Sequence, residues 1–193
     1  MAKKKTNTGL IIGIVVIAII VIIVLSVIGM YNGLVQADVN VDNAWAQVQT
    51  VYQRRADLIP NLVATVEGAR DFEQETFLAV TEARSAWTNA KTPEEQVAAA
   101  NGLESAIGRL IVVVENYPQL TATQAFRDLM VQLEGTENRI SVERKRYNDA
   151  VGIINKKVRF FPTNIIASMF GFEKRTFFEA VEGAEAAPEV EFT

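Results

Sequence analysis

The stretch Leu10-Ile-Ile-Gly-Ile-Val-Val-Ile-Ala-Ile-Ile-Val-Ile-Ile-Val-Leu-Ser-Val-Ile-Gly-Met30 contains no charged residue. At about 1.5 Å of rise per residue, a helix of this length crosses the roughly 30 Å hydrocarbon core of a bilayer. Everything that follows it must then live at a membrane. Lys3, Lys4 and Lys5 precede it, a basic tail that a retained anchor shares with a cleaved signal peptide. The apolar region of a signal peptide is typically about 7 to 15 residues, so the longer run here is read as a retained anchor, although Val35 and Ala37 could form a cleavage site. After the span only acids, Asp38 and Asp42, occur until Arg54. The bias of basic residues places the N-terminus in the cytoplasm and the following domain on the outer, periplasmic side of the plasma (inner) membrane, crossed once. Gly9 with Gly13, and Gly29 with Gly33, have the small-xxx-small spacing that lets two spans approach, a route to a homo-oligomer.

The expected division is a basic tail over 1–9, a transmembrane helix over 10–30, a helical domain over 38–160, an aromatic amphipathic segment over 161–178 and an acidic, disordered tail over 183–193. The domain is large enough to bury one core. With neither cysteine nor histidine, the chain lacks thiolates and the commonest general base and transition-metal ligand. Basic and acidic residues are interspersed at a formal net charge of −4, which disfavours a nucleic-acid partner.

From Asp38 onward, Trp45, Val48, Tyr52, Ile59, Leu62 and Val66 recur at steps of three and four or their sums, the stripe of a packed amphipathic helix. Pro60 lies inside it, removes one helical hydrogen bond and predicts a kink near residues 56–59, ringed by Arg54, Arg55, Asp57 and Asn61. Arg55 falls on the side of Tyr52 and Ile59, where an arginine needs an acidic or carbonyl partner. Gly68, and Asp71 with Gln74, predict a turn, although the periodicity also continues through Phe77, Val80 and Trp87 as one long helix. A second helix then runs to about Asn89. Thr92, Pro93 and Glu95 satisfy three start rules for a third, over 93 to about 116. Its very apolar end, Leu110 to Val114, predicts a central position.

A fourth helix over about 121–158 carries Phe126, Leu129, Leu133, Ile140, Tyr147, Ile154 and Val158 on one stripe, and Glu134, Asn138, Ser141, Lys145, Asn148 and Asn155 on another. The polar stripe reads as a solvated face or a docking surface. Short connections make neighbours antiparallel, so the fold class is all-α: an N-terminal transmembrane helix followed by an antiparallel up-and-down four-helix bundle with coiled-coil-like stripes. The even number of helices returns the chain to the membrane. There Phe160, Phe161, Ile165, Ile166, Met169, Phe170, Phe172, Phe177 and Phe178 cluster with Arg159, Lys174 and Arg175, and Pro162 and Gly171 bracket a short helix. These aromatics either lie in the headgroup layer or plug the end of the bundle.

The segments Tyr52-Gln-Arg-Arg-Ala-Asp-Leu-Ile-Pro-Asn-Leu-Val63, Glu115-Asn-Tyr-Pro-Gln-Leu120, Leu133-Glu-Gly-Thr-Glu-Asn-Arg-Ile140 and Arg146-Tyr-Asn-Asp-Ala150, with Phe161-Pro162 and the anchor, together resemble the LemA family. The resemblance runs from the anchor to Phe172. It implies a membrane-anchored, mainly antiparallel four-helix bundle, no catalytic residues to carry over, and in some members the opposite orientation. Thr121-Ala-Thr-Gln-Ala departs from the lysine and asparagines more usual there.

An enzyme needs nucleophile, base and stabiliser converging in a pocket. Neither His nor Cys is present, and no glycine-rich phosphate loop follows a strand. Glu134, Glu137 and Glu143 could hold a hard cation, but carboxylate bundle sites normally pair Glu with His at a fixed offset. The chain therefore reads as a non-enzyme without cofactor or metal. Its expected role is an interaction scaffold of the cell envelope, binding another membrane or envelope protein through the bundle. The alternative is a membrane-surface assembly or remodelling protein acting on lipid through residues 159–178. The candidate interaction or structural residues are Arg54, Arg55, Asp57, Pro60, Asn61, Asn138, Asn148, Phe170 and Phe177.

Overall fold

The helix that carries the apolar run does not end with it but continues far past Met30. The computed structural model describes residues 8–67 and 74–178. It contains α1 (Thr8–Glu67), α2 (Gln74–Asn89), α3 (Pro93–Val114), the short α4 (Pro118–Thr121), α5 (Gln124–Arg159) and α6 (Thr163–Phe170). Among the described residues there is no strand. The fold is all-helical with a long apolar N-terminal helix.

The sequence reading separated a span ending at Met30 from a helix beginning near Asp38, whereas α1 runs through both. No proline interrupts residues 30–42, and Gly29 and Gly33 each cost a helix only about 1 kcal/mol. Leu34, Ala37 and Val41 are buried at helical spacing, so packing offsets that cost. The N-terminal part of α1 is long and apolar enough to cross a membrane, with none of its most apolar window buried, which suggests membrane anchoring.

The described chain falls into two compact units, residues up to Asp42 with Ala150–Arg175, and Asn43–Asp149 with the residues from Thr176. In the first, Leu34, Ala37 and Val41 of α1, Val151 and Ile154 of α5, and Ile166 and Ala167 of α6 are buried. Gly171 ends α6 at φ 75°, a left-handed conformation that glycine adopts without strain. Residues 172–178, without regular secondary structure, follow it.

In the second unit the core comprises Val48, Tyr52, Ala56, Ile59, Leu62 and Val66 of α1, Val80 and Trp87 of α2, Leu103, Ile107 and Leu110 of α3, and Leu129, Leu133, Ile140 and Tyr147 of α5. Tyr52 meets Trp87 with ring centroids 5.0 Å apart, and Arg84 reaches Ala56, so α1 and α2 are separate helices that pack together. One long helix is thereby excluded. The turn expected at Gly68 to Asp71 lies outside the described residues, as do the basic tail and the acidic tail.

The start of α3 follows its local chemistry. Thr92 accepts from the Glu95 backbone N–H at 3.2 Å, while the Glu95 carboxylate accepts from the N–H groups of Lys91 and Thr92 at 2.8 and 3.2 Å. The Lys91 and Thr92 bonds hold the Glu95 carboxyl below the usual carboxylate range. The apolar end of α3 is not covered all round: Leu110 and Val114 are buried while Val112 is exposed. The fourth helix begins later than expected, because α4 intervenes and the Thr123 hydroxyl accepts from the Phe126 N–H at 3.3 Å as α5 starts.

Candidate functional site

Pro60 has no N–H, so the carbonyl of Ala56, four residues earlier, loses its helical donor. Arg84 of α2 supplies one: its Nε donates to that carbonyl at 3.1 Å. Ala56 is buried, and a buried carbonyl left without a donor is costly. α1 continues through Pro60 to Glu67, and the arginine serving the proline sits on the partner helix.

The residues around Pro60 separate by face. Arg55 is only 6% exposed, and its Nη1 donates to the carboxylate of Glu137 on α5. Arg54, Asp57 and Asn61 are exposed. Arg54 and Asp57 line an open groove of about 650 Å³ together with Gln49, Gln53, Trp87 and Gln96. Gln53 holds Asp57 at 2.8 Å, and Gln49 donates to Gln96 at 2.8 Å, so the polar groups of this mixed polar and apolar groove are partly ordered by its own walls.

A second polar cluster lies against the aromatic core of the same unit. The Tyr52 hydroxyl donates to Glu104 Oε1 at 2.5 Å, and Arg144 Nη2 donates to the same oxygen at 2.6 Å. The Arg144 guanidinium carbon stands 4.2 Å from the Phe178 ring centroid and 5.5 Å from that of Tyr52, positions that favour cation–π attraction. Burial first, and then the Glu104 charge and hydrogen bond, raise the Tyr52 hydroxyl pKa far above its ordinary value, with Arg144 acting in the opposite direction. A hydroxyl held protonated in this way is a poor base or nucleophile. The sequence reading missed Glu104, Arg144 and Arg84. Arg144 was detectable in principle, four residues after Ile140 and three before Tyr147 on the buried stripe.

The polar stripe of α5 divides. Glu134, Asn138, Ser141 and Lys145 are exposed. In the second unit, Asn148 Nδ2 donates to the Phe178 carbonyl at 3.0 Å and its Oδ1 accepts from the Phe178 N–H at 2.8 Å. Asn155, in the first unit, does the same to Arg175, at 2.9 and 2.8 Å. Each amide thus reads one residue's backbone as a neighbouring strand would. Phe177 is exposed beside Tyr147, Pro93 and Val97, lining a cavity of about 180 Å³.

In the first unit Arg175 bonds Asp38 at 2.8 Å and Asp42 at 3.2 Å. Phe170 packs on Tyr31, the residue after Met30, with centroids 4.7 Å apart, and Phe172 lies 5.9 Å from the same ring. Among the described residues, no group of three or more His, Cys, Asp or Glu is placed to hold a metal ion, Glu134, Glu137 and Glu143 included.

An all-helical protein with a long apolar N-terminal helix and arginine–carboxylate pairs between its helices is the class these features define. The chain belongs to the LemA family, whose model matches residues 44–192. It is 25% identical over 156 residues to "Protein LemA" of Metamycoplasma hominis, covering 80% of this chain and 71% of that protein. It is 33% identical over 81 residues to "Magnetosome protein MamQ 2" of Paramagnetospirillum magneticum, covering 42% of this chain and 30% of the relative. "Magnetosome protein MamQ" of Magnetospirillum gryphiswaldense is 29% identical over 80 residues, again 42% of this chain and 29% of that one. The chain thus spans less than a third of the length of these magnetosome relatives.

Proposed function

We propose that this chain is a membrane-anchored, non-enzymatic scaffold of the cell envelope that binds another membrane or envelope protein through its helical domain. The observation that carries the reading is the open groove containing Arg54 and Asp57, whose charged and amide groups are presented outward rather than converged on a reaction centre. In the Tyr52, Glu104 and Arg144 cluster the tyrosine hydroxyl and the Arg144 Nη2 are both spent on one Glu104 oxygen, which favours a structural role over chemistry.

The domain is proposed to be an antiparallel up-and-down four-helix bundle of α1, α2, α3 and α5. Supporting this, α1 meets α2 in reversed order (Tyr52 with Trp87, Ala56 with Arg84) and α3 in the same order (Gln49 with Gln96, Tyr52 with Glu104). It meets α5 in reversed order, Trp45 with Tyr147 and Arg55 with Glu137. Lys3, Lys4 and Lys5 support a cytoplasmic N-terminus and an outer domain, which an active C-terminal alkaline phosphatase fusion would check.

Photo-crosslinkers at Thr50 and at Val131, the latter 68% exposed on α5, test the scaffold reading in native membranes. A discrete adduct from Thr50 but not Val131, lost in Arg54→Glu, is expected. Equal adducts from both positions, or insensitivity to Arg54→Glu, would refute it. The lipid-acting alternative draws on the exposed aromatic residues of the α6 region near Tyr31.

A further inference from the structure

The end of α5 and α6 combine two features in the first unit that nothing else in the fold uses. Ile166 and Ala167 turn inward, yet Phe160, Phe161, Ile165, Met169 and Phe170 remain exposed, Phe161 at 81% and Met169 at 70%. An exposed apolar group of this kind marks a surface that something covers. Phe170 rests on Tyr31, the first residue beyond the apolar run, so the patch is continuous with the point where α1 leaves the hydrocarbon core. Charge adds the second feature. Residues 156–175 hold Lys156, Lys157, Arg159, Lys174 and Arg175 against the single carboxylate of Glu173. Asp38 and Asp42 engage Arg175, whereas no described carboxylate forms an ion pair with Lys156, Lys157, Arg159 or Lys174. Lys156 lies over the Phe160 ring at 5.4 Å, placing a cation directly above the apolar patch.

We propose that Phe160, Phe161, Ile165, Met169 and Phe170 seat in the headgroup–acyl boundary of the membrane that α1 enters, while Lys156, Arg159 and Lys174 bind phosphates of anionic lipids. The inference rests on the membrane-anchored reading of α1. Aromatic side chains with long cationic ones suit this layer, because the rings bury while the lysine and arginine heads stay in the hydrated zone. The occupant is bilayer rather than a second copy because the patch borders the span and its surround is cationic, which complements anionic headgroups and repels an identical surface.

The test uses the full chain carrying Met169→Cys, labelled with an environment-sensitive dye. It is reconstituted in vesicles of phosphatidylcholine alone or with roughly one third phosphatidylglycerol, a lipid bearing the net negative charge the cations require. Each cation near an anionic surface raises the seated-to-unseated ratio about fivefold. Quenching by brominated lipid is therefore expected in both vesicles, at least about twofold stronger with phosphatidylglycerol at low salt. That increment should vanish in Lys156→Glu/Arg159→Glu, whose changes are both at exposed positions. Equal quenching in the two vesicles would overturn the headgroup assignment while leaving the anchor intact. Quenching only by aqueous iodide, or by neither quencher as a self-associated patch would give, would overturn the whole inference. Flotation with the vesicles reads the anchor separately: a chain that fails to float refutes the anchored reading itself.

Discussion

Replacing Arg84 with methionine keeps an unbranched stem but deletes the donor to the Ala56 carbonyl that Pro60 cannot serve. The bond is 3.1 Å long, its carbonyl belongs to a buried residue, and its donor is charged. Hydrogen bonds of that kind contribute about 1.5–3 kcal/mol, and because Arg84 is half-buried the lower part, about 1.5–2, applies. For a domain of roughly 130 residues this is a fall in Tm of about 5–8 °C. The decisive comparison is in the background Pro60→Ala, where residue 60 regains an N–H and the helix can close its own bond to Ala56. There Arg84→Met should cost under about 0.5 kcal/mol, giving a coupling near 1–1.5 kcal/mol in the cycle. Denaturant unfolding of the full chain in detergent, followed by circular dichroism, measures all four proteins. Equal costs of Arg84→Met in the two backgrounds would show that Arg84 does not act on the carbonyl, and the account of how α1 passes through Pro60 would be wrong.

Glu137→Gln should cost about 2–3 kcal/mol, less than the roughly 3–5 typical of a wholly buried pair because Glu137 is 51% exposed and water can partly replace it at Arg55. A melt within a degree or two of wild type would remove that role. The Tyr52 pKa is raised in the folded state, so its contribution is fully present below the unfolded value, about pH 10, and declines as pH rises through the folded one. Wild type should therefore lose stability faster than Tyr52→Phe between about pH 9 and 11, and parallel urea midpoints across that range would contradict the assignment.

What could be read from sequence alone was whatever depended on neighbours in the chain. The apolar run over 10–30 and the Thr92, Pro93 and Glu95 start are set by residues within a turn or two of each other, and α1 and α3 carry both. The helical stripe likewise identified Arg55 as a buried arginine needing a partner. It could not choose Glu137, because Glu134 and Glu143 lie on the same distant helix and only the α1 to α5 packing distinguishes them. The continuity of α1 between Met30 and Asp38 is of the same kind: the composition changes there from lipid-type to domain-type, but the helix does not end, because Leu34, Ala37 and Val41 extend the packed stripe through it.

Asn148 and Asn155 show the remaining limit. At helical spacing on a polar stripe they look like Glu134 and Asn138, which are solvent-exposed. Their partners are the backbones of Phe178 and Arg175, in a stretch without regular secondary structure whose N–H and C=O groups leave no trace in side-chain periodicity. An uncharged amide can donate and accept at one residue's backbone, which Glu134 or Lys145 cannot do, but Asn138 has the same chemistry and stays exposed, so the position of the segment after α6 makes the choice. Proline works the same way in reverse. Pro60 announces a missing bond at Ala56, but Arg54 and Arg55 are nearer in sequence than Arg84, and only the reversed packing of α2 on α1 makes the distant arginine the donor.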